Sequence, residues 1–198
     1  MRFKFAAIFA VCALHAGAQT IHVDDGTKHW EVGFGAGLNN DGYQVDFSGA
    51  IFPISNFGLK ATIGFAGEIG SLEYWYDDYW GSHYNYYDDY TVRFKFTPAI
   101  VLRSPCIATW KKQDAGFYLF AEPGITLSPG ASGSRDARTF HWDCKVGLNL
   151  QVDRIIATLG YDVSNFSLYS GRPYSGYSQP DRDNYVTHCV YLAIAVKL

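Results

Sequence analysis

Apolar and polar residues alternate singly along most of this chain. The last stretch, 185–198, shows the pattern most fully. Val186, His188, Val190, Leu192, Ile194, Val196 and Leu198 fall on one face, and Thr187, Cys189, Tyr191, Ala193, Ala195 and Lys197 on the other. A period of two over that length predicts a β-strand with two unlike faces. A chain that ends inside a strand leaves an open edge unless another strand pairs with it. The pattern therefore predicts that this strand closes a barrel against the first one.

Seven earlier segments alternate in the same way: 29–38, 43–52, 57–69, 90–103, 116–127, 140–152 and 155–164. In 29–38, Trp30, Val32, Phe34, Ala36 and Leu38 oppose Glu31 and three glycines. The cleanest is 140–152, where Phe140, Trp142, Cys144, Val146, Leu148, Leu150 and Val152 alternate with His141, Asp143, Lys145, Gly147, Asn149 and Gln151. Residues 39–42 (NNDG), 53–56 (PISN) and Asp153–Arg154 read as tight turns. Residues 70–89, 128–139 and 165–184 read as longer connections, and 104–115 as a turn region containing Pro105. Eight strands with no helix-period segment predict an all-β fold, an eight-stranded antiparallel up-and-down barrel over 29–198.

Volume decides which face points inward. An eight-stranded barrel encloses a space only just wide enough to be filled by side chains. The apolar face carries Trp30, Trp142, Tyr161 and many phenylalanines, while Gly33, Gly35, Gly37, Gly64, Gly124, Gly147 and Gly160 lie on the polar face. The bulky face must then point outward, and what it meets must be lipid. No Asp, Glu, Lys or Arg lies on that face within the eight segments. Such exclusion is expected where a lipid-facing Lys or Arg costs about 2–4 kcal/mol near the midplane. The polar face carries Glu31, Asp46, Glu68, Glu122, Asp143 and Asp162, with Lys60, Arg93, Lys95 and Lys145 as candidate partners. A plugged lumen needs that near balance, because buried charges must be paired. The opposite arrangement, a secreted lipocalin-like binding barrel with the apolar face inside, is the alternative, and the volume argument weighs against it.

The first residues add an address. Arg2 and Lys4 precede a short apolar run over 5–14, and Ala16, Gly17 and Ala18 make a small-residue cleavage site. Residues 1–18 read as a secretory signal peptide, with 19–28 a short lead. A lipoprotein signal acylated at Cys12 is the alternative, disfavoured by the bulky Val11 before it. Losing Arg2 and Lys4 takes the formal charge from −3 to −5, and no basic block follows, so nucleic acid is not an expected partner. Cys106, Cys144 and Cys189 remain after cleavage. That odd number makes no complete disulfide framework, and no pair has metal-binding spacing. No cofactor motif appears.

In signal peptide, strand number, alternation and the strand-final position, residues 30–198 resemble the small outer-membrane β-barrel proteins of Gram-negative bacteria, the eight-stranded porin-like class. The resemblance implies outer-membrane residence, contact with outer-membrane lipid, and handling by the barrel-assembly machinery. It carries over no catalytic residue. The sequence departs from the class at its end, where Leu198 stands in place of the common terminal aromatic. With both termini in the periplasm, 39–42, 70–89, 128–139 and 165–184 would face outward.

Candidate chemistry lies in three places. Residues 70–89 interleave Tyr74, Trp75, Tyr76, Tyr79, Trp80, Tyr84, Tyr86 and Tyr87 with Glu73, Asp77, Asp78, Asp88 and Asp89, and contain no Lys or Arg. Tyr and Trp give rigid amphipathic contact area, and the acids could attract a cationic partner or calcium, so this loop is the expected contact surface for an extracellular ligand or protein. An extended hairpin whose aromatics join the interfacial girdle is the plainer reading, favoured for Tyr74 and Tyr90. The second place is the lumen charge network. The third is a lipid-modifying site built from His141, His188, Ser164 and Ser167 at the outer rim, a weak reading because no nucleophile motif is present. A narrow solute path is a further alternative.

Overall fold

A computed structural model describes residues 29–40, 42–69, 73–77, 83–87, 92–110, 115–129, 139–166, 168 and 186–198; for Glu68 and for 73–77 and 83–87 it describes the backbone. The signal peptide 1–18 and the lead 19–28 lie outside these residues. The strands are β1 (His29–Asn39), β2 (Gly42–Ile54), β3 (Phe57–Glu68), β4 (Glu73–Asp77), β5 (His83–Tyr87), β6 (Val92–Arg103), β7 (Ala108–Trp110), β8 (Ala115–Leu127), β9 (Phe140–Val152), β10 (Ile155–Ser164) and β11 (Thr187–Lys197).

Eight of them close a ring, β1-β2-β3-β6-β8-β9-β10-β11, with every pair antiparallel. The last strand pairs with the first over nine residues, from Glu31↔Lys197 to Asn39↔Cys189, as the terminal alternation predicts. Partners traced once round from Glu31 run through Ala50, Lys60, Ala99, Gly124, Asp143, Ser164 and Thr187. Thr187 lies two residues before Cys189, the partner of Asn39, itself eight residues along β1 from Glu31, so the circuit returns with a stagger of ten residues. Stagger and strand number together set the tilt and the narrow bore.

Burial follows the alternation. Trp30, Phe34, Phe47, Ile63, Leu148, Leu159, Leu192 and Ile194 are among the exposed large apolar residues, at 43–64% exposure, while Arg93, Lys95, Asp143, Lys145 and Asp162 are at most 5% exposed. Among the described residues, no charged side chain lies on the outer face between the strand ends. So large an apolar surface belongs in hydrocarbon rather than water. The lipocalin-like arrangement is not adopted. Aromatics gather at the two rims of the belt: Phe65, Phe94, Phe140, Trp142 and Tyr161 toward the long connections, Trp30, Phe57 and Trp110 toward the short turns and chain ends. We call these the loop end and the turn end.

The lumen departs from the expectation of a slim polar face. Phe52, Tyr118, Phe120 and Tyr191 point into it, each at most 5% exposed. Glycines make the room. Gly147, Gly160, Tyr191 and Gly37 are consecutive partners across β9, β10, β11 and β1. A β-carbon at Gly160 would collide with the Tyr191 ring, and one at Gly147 with Phe120 and the β10 backbone. The glycines are therefore recesses into which two rings fit.

One connection also differs from expectation, and a second takes the plainer of its two readings. Residues 104–115 are not one turn. After Arg103 the chain bulges at Pro105, which offers no N–H, then returns to β8 as β7, pairing Ala108↔Phe117 through Trp110↔Ala115. Bonds from Ser104 N to Leu119 O and from Ile107 N to Phe117 O bridge the bulge. The strand thus continues past its apparent end, and the connection shrinks to 111–114. Within 70–89, β4 and β5 pair as a hairpin from Glu73↔Tyr87 to Asp77↔His83. The two-residue turn at Asp153–Arg154 forms as expected, with Asp153 at φ 53°, a conformation that Asp tolerates.

Candidate functional site

Inward-facing residues of adjacent strands stack into three layers. At the turn end, Arg103 on β6 donates to both carboxylate oxygens of Glu31 on β1, at 2.9 and 3.0 Å. His29 Nε2 lies 3.0 Å from Glu31 Oε1, and its ring stacks on Phe52 at 4.9 Å. The Arg103 guanidinium lies over the same Phe52 ring at 4.4 Å. Phe52 is thereby clamped between a histidine and an arginine that share one carboxylate.

In the middle, Lys60 donates to both oxygens of Glu122 at 3.0 Å, and Lys145 to Asp46 at 3.1 Å. Lys95 donates to Gln44 Oε1 at 3.0 Å, and Gln44 Nε2 passes the contact to Asp162 at 3.3 Å. A cavity of about 40 Å³ lies between these two layers, lined by Glu31, Lys60, Arg103, Glu122, Asn149 and Tyr191 among others. That space has room for ordered water but for no open channel.

At the loop end, the hydroxyls of Thr97 and Thr126 lie 2.7 Å apart, and Thr126 donates to Asp143 at 3.1 Å. Arg93 donates to the carbonyls of Ser128 and Pro129, both at 3.3 Å. Between the rims the inward acids are Glu31, Asp46, Glu122, Asp143 and Asp162, and the inward bases are Lys60, Arg93, Lys95, Arg103 and Lys145. Lys197, the partner of Glu31 on β11, shares that face at the turn end, so charges of the two signs nearly balance among the described residues, as a desolvated interior requires.

Most residues of the sequence-predicted charge network therefore meet inside the barrel. The Glu68 side chain lies outside the description. Sequence reasoning misses Arg103, which pairs with Glu31, although it has the same parity as Arg93 and Lys95. It is the last residue of the segment 90–103, two before Pro105, where the alternation stops. Gln44, which relays between Lys95 and Asp162, carries no charge to mark it.

The catalytic candidates do not converge. His141 faces inward and its Nδ1 lies 3.1 Å from the Asn165 carbonyl. Ser164 also faces inward and accepts from Phe166 N at 3.4 Å. His188 is exposed on the outer face, where its Nδ1 meets the Tyr161 hydroxyl at 2.9 Å. The barrel wall separates the two histidines. Ser167 lies outside the described residues. Cys106, Cys144 and Cys189 are free thiols.

Of the predicted loop surface, Trp75, Tyr76 and Asp77 lie on β4, and Tyr86 and Tyr87 on β5. Tyr74↔Tyr86 and Tyr76↔Tyr84 are directly opposed positions of that hairpin. Asp78, Tyr79, Trp80, Asp88 and Asp89 lie outside the described residues.

No protein-family model and no curated protein matches the chain. Among solved structures it is similar to the N-terminal β-barrel domain of Pseudomonas aeruginosa OprF, with 10% identity over 86% of this chain and 97% of that one, TM-score 0.46. It is similar to Neisserial surface protein A (NspA), with 12% identity over 86% and 97%, TM-score 0.46. A major outer membrane protein from Thermus thermophilus gives 14% identity over 87% and 100%, TM-score 0.40.

Proposed function

We propose that this protein is an integral outer-membrane β-barrel of a Gram-negative envelope, non-enzymatic, whose outer loops carry recognition. One observation carries the reading: a closed barrel whose whole outer face between the rims is apolar and, among the described residues, uncharged. In hydrocarbon every backbone polar group must be paired, and a closed ring of strands pairs them all. The loop end is the extracellular end in this reading, because 70–89 and 165–184 leave from it while the turn end has short connections. Outer-membrane lipid and the assembly machinery are its partners in the envelope. The separation of His141 from His188 by the wall supports a non-catalytic role.

Residues 70–89 are the principal contact surface in this reading. Loops held by a rigid frame carry function in such scaffolds, and the aromatic and acidic content exceeds what a spacer needs. The frame does not depend on them, since β3 pairs directly with β6 from Phe57↔Leu102 to Gly67↔Val92. Replacing residues 76–87 with Gly and Ser should therefore leave the barrel folded and abolish any surface binding that intact cells show. Protease added to whole cells should cut here before cutting any barrel strand. Cleavage only after the outer membrane is broken would invert the topology. Unchanged binding by the replaced loop would move recognition elsewhere.

A further inference from the structure

Among the described residues of the eight ring strands, the outer face carries one histidine, His188 at the loop end. It shares the outward parity of Val190, Leu192 and Ile194 and is exposed. It lies four residues along β11 from Leu192, which belongs to the mid-strand row of Leu119, Leu148 and Leu159. At about 3.4 Å per residue and a tilt of about 40°, four residues rise about 10 Å, close to the edge of an apolar band about 25 Å tall. The rim aromatics Trp142 and Tyr161 stand at the same end. His188 is held on both sides. Its N–H donates to Asn40 Oδ1 at 3.0 Å, and Asn40 N returns a bond to the His188 carbonyl at 3.3 Å. On the β10 side its Nδ1 lies 2.9 Å from the Tyr161 hydroxyl.

That pair leaves one donor over in either tautomer. If Nδ1 carries the ring proton, it donates to the Tyr161 oxygen, and the Tyr161 O–H remains. If Nε2 carries it, the Tyr161 hydroxyl donates to Nδ1, and Nε2–H remains. A polar, ionisable group this close to hydrocarbon calls for a partner. Outside the wall at this depth are lipid headgroups. An imidazole can also add a proton, and with it a positive charge that strengthens a bond to an anion. Among the described residues no carboxylate stands on the outer face at this rim to oppose one, since Asp143 and Asp162 face inward. We propose that His188 and Tyr161 form a binding site for the phosphate of a lipid headgroup, in the outer leaflet if the loop end is extracellular. The site rests on the membrane reading above, but a test in micelles can fail while that reading holds.

The experiment folds the full mature chain in dodecyl maltoside micelles, which hold no phosphate. Lysophosphatidic acid, or the monoacylglycerol with the same acyl chain, is added at neutral pH. Native mass spectrometry measures the lipid retained. Lysophosphatidic acid should be retained about fivefold or more over the monoacylglycerol, the advantage of a charge-assisted hydrogen bond. His188→Phe should remove that preference, and Tyr161→Phe should reduce it by about half or more, because each takes away a member of the pair. The competing holder is a cation at the turn end, where Arg154 is exposed. Arg154→Gln should leave the preference unchanged. No preference in the unsubstituted chain overturns the site, as does a preference that survives His188→Phe in the folded barrel or falls with Arg154→Gln. If His188→Phe does not fold, nuclear magnetic resonance of the unsubstituted chain is read in its place. The His188 ring-nitrogen signals should move with lysophosphatidic acid and not with the monoacylglycerol. Signals that stay in place overturn the site.

Discussion

Replacing Arg103 with methionine lowers the stability of the folded barrel by about 3–5 kcal/mol, the cost of stranding a buried carboxylate whose partner is gone. The geometry places this among the largest single-residue effects. Glu31 is 7% exposed and receives both of its arginine bonds from Arg103. The guanidinium also covers the Phe52 ring. Losing it therefore unpacks the turn-end layer as well as unpairing it. The control is the double variant Glu31→Gln with Arg103→Met, which removes the stranded charge and should recover much of the loss, because no unpaired ion is then left desolvated. Reversible urea unfolding in lipid vesicles, run as a double-mutant cycle, measures the coupling. A single-variant loss under about 1 kcal/mol, the range of an exposed ion pair, would mean that the layer is open to water.

A charge on the outer face should cost about 2–4 kcal/mol, and Leu148→Arg is the test, since Leu148 sits mid-strand in the row Leu119, Leu148, Leu159, Leu192. Sequence alone suggests Asn149→Arg as the milder neighbour. The structure removes that contrast: Asn149 is 5% exposed, accepts from Thr158 at 2.8 Å, and borders a cavity of only about 40 Å³. Arginine would overfill it. Phenylalanine separates the faces better. Leu148→Phe should change stability little, because lipid yields to the ring, while Asn149→Phe should cost about 1–3 kcal/mol through overpacking. Unfolding midpoints of the three variants report the order, and a costly Leu148→Phe beside a tolerated Asn149→Phe would reverse the faces.

Strand positions and face assignment are legible because the side-chain period of two admits only two registers, and one of them would bury Trp30, Trp142 and the phenylalanines in a bore too small for them. The closing partner of β11 follows from its position at the chain end. What alternation cannot carry is a break in alternation. Pro105 interrupts the ladder, so β7 reads as part of a turn. The hairpin of β4 and β5 is legible only as one of two readings and without a register, because nearly every residue there is aromatic or polar and no apolar face recurs. The lumen's charges are visible in the sequence, but its fillers are less so. Phe52 and Phe120 are apolar residues at polar parity, and they fit only because glycines on neighbouring strands recede, a relation between strands that no single segment displays. Phe166 lies beyond the last residue of β10, and its ring meets Arg93 and Lys95, about seventy positions earlier.

The barrel's apolar outer face calls for a lipid surround, and the proposed place in an outer membrane is measured directly on envelopes from cells expressing the full chain, washed with alkaline carbonate and separated by density. The account predicts that the mature protein stays with the outer-membrane fraction after the wash. Release into the soluble fraction would contradict it.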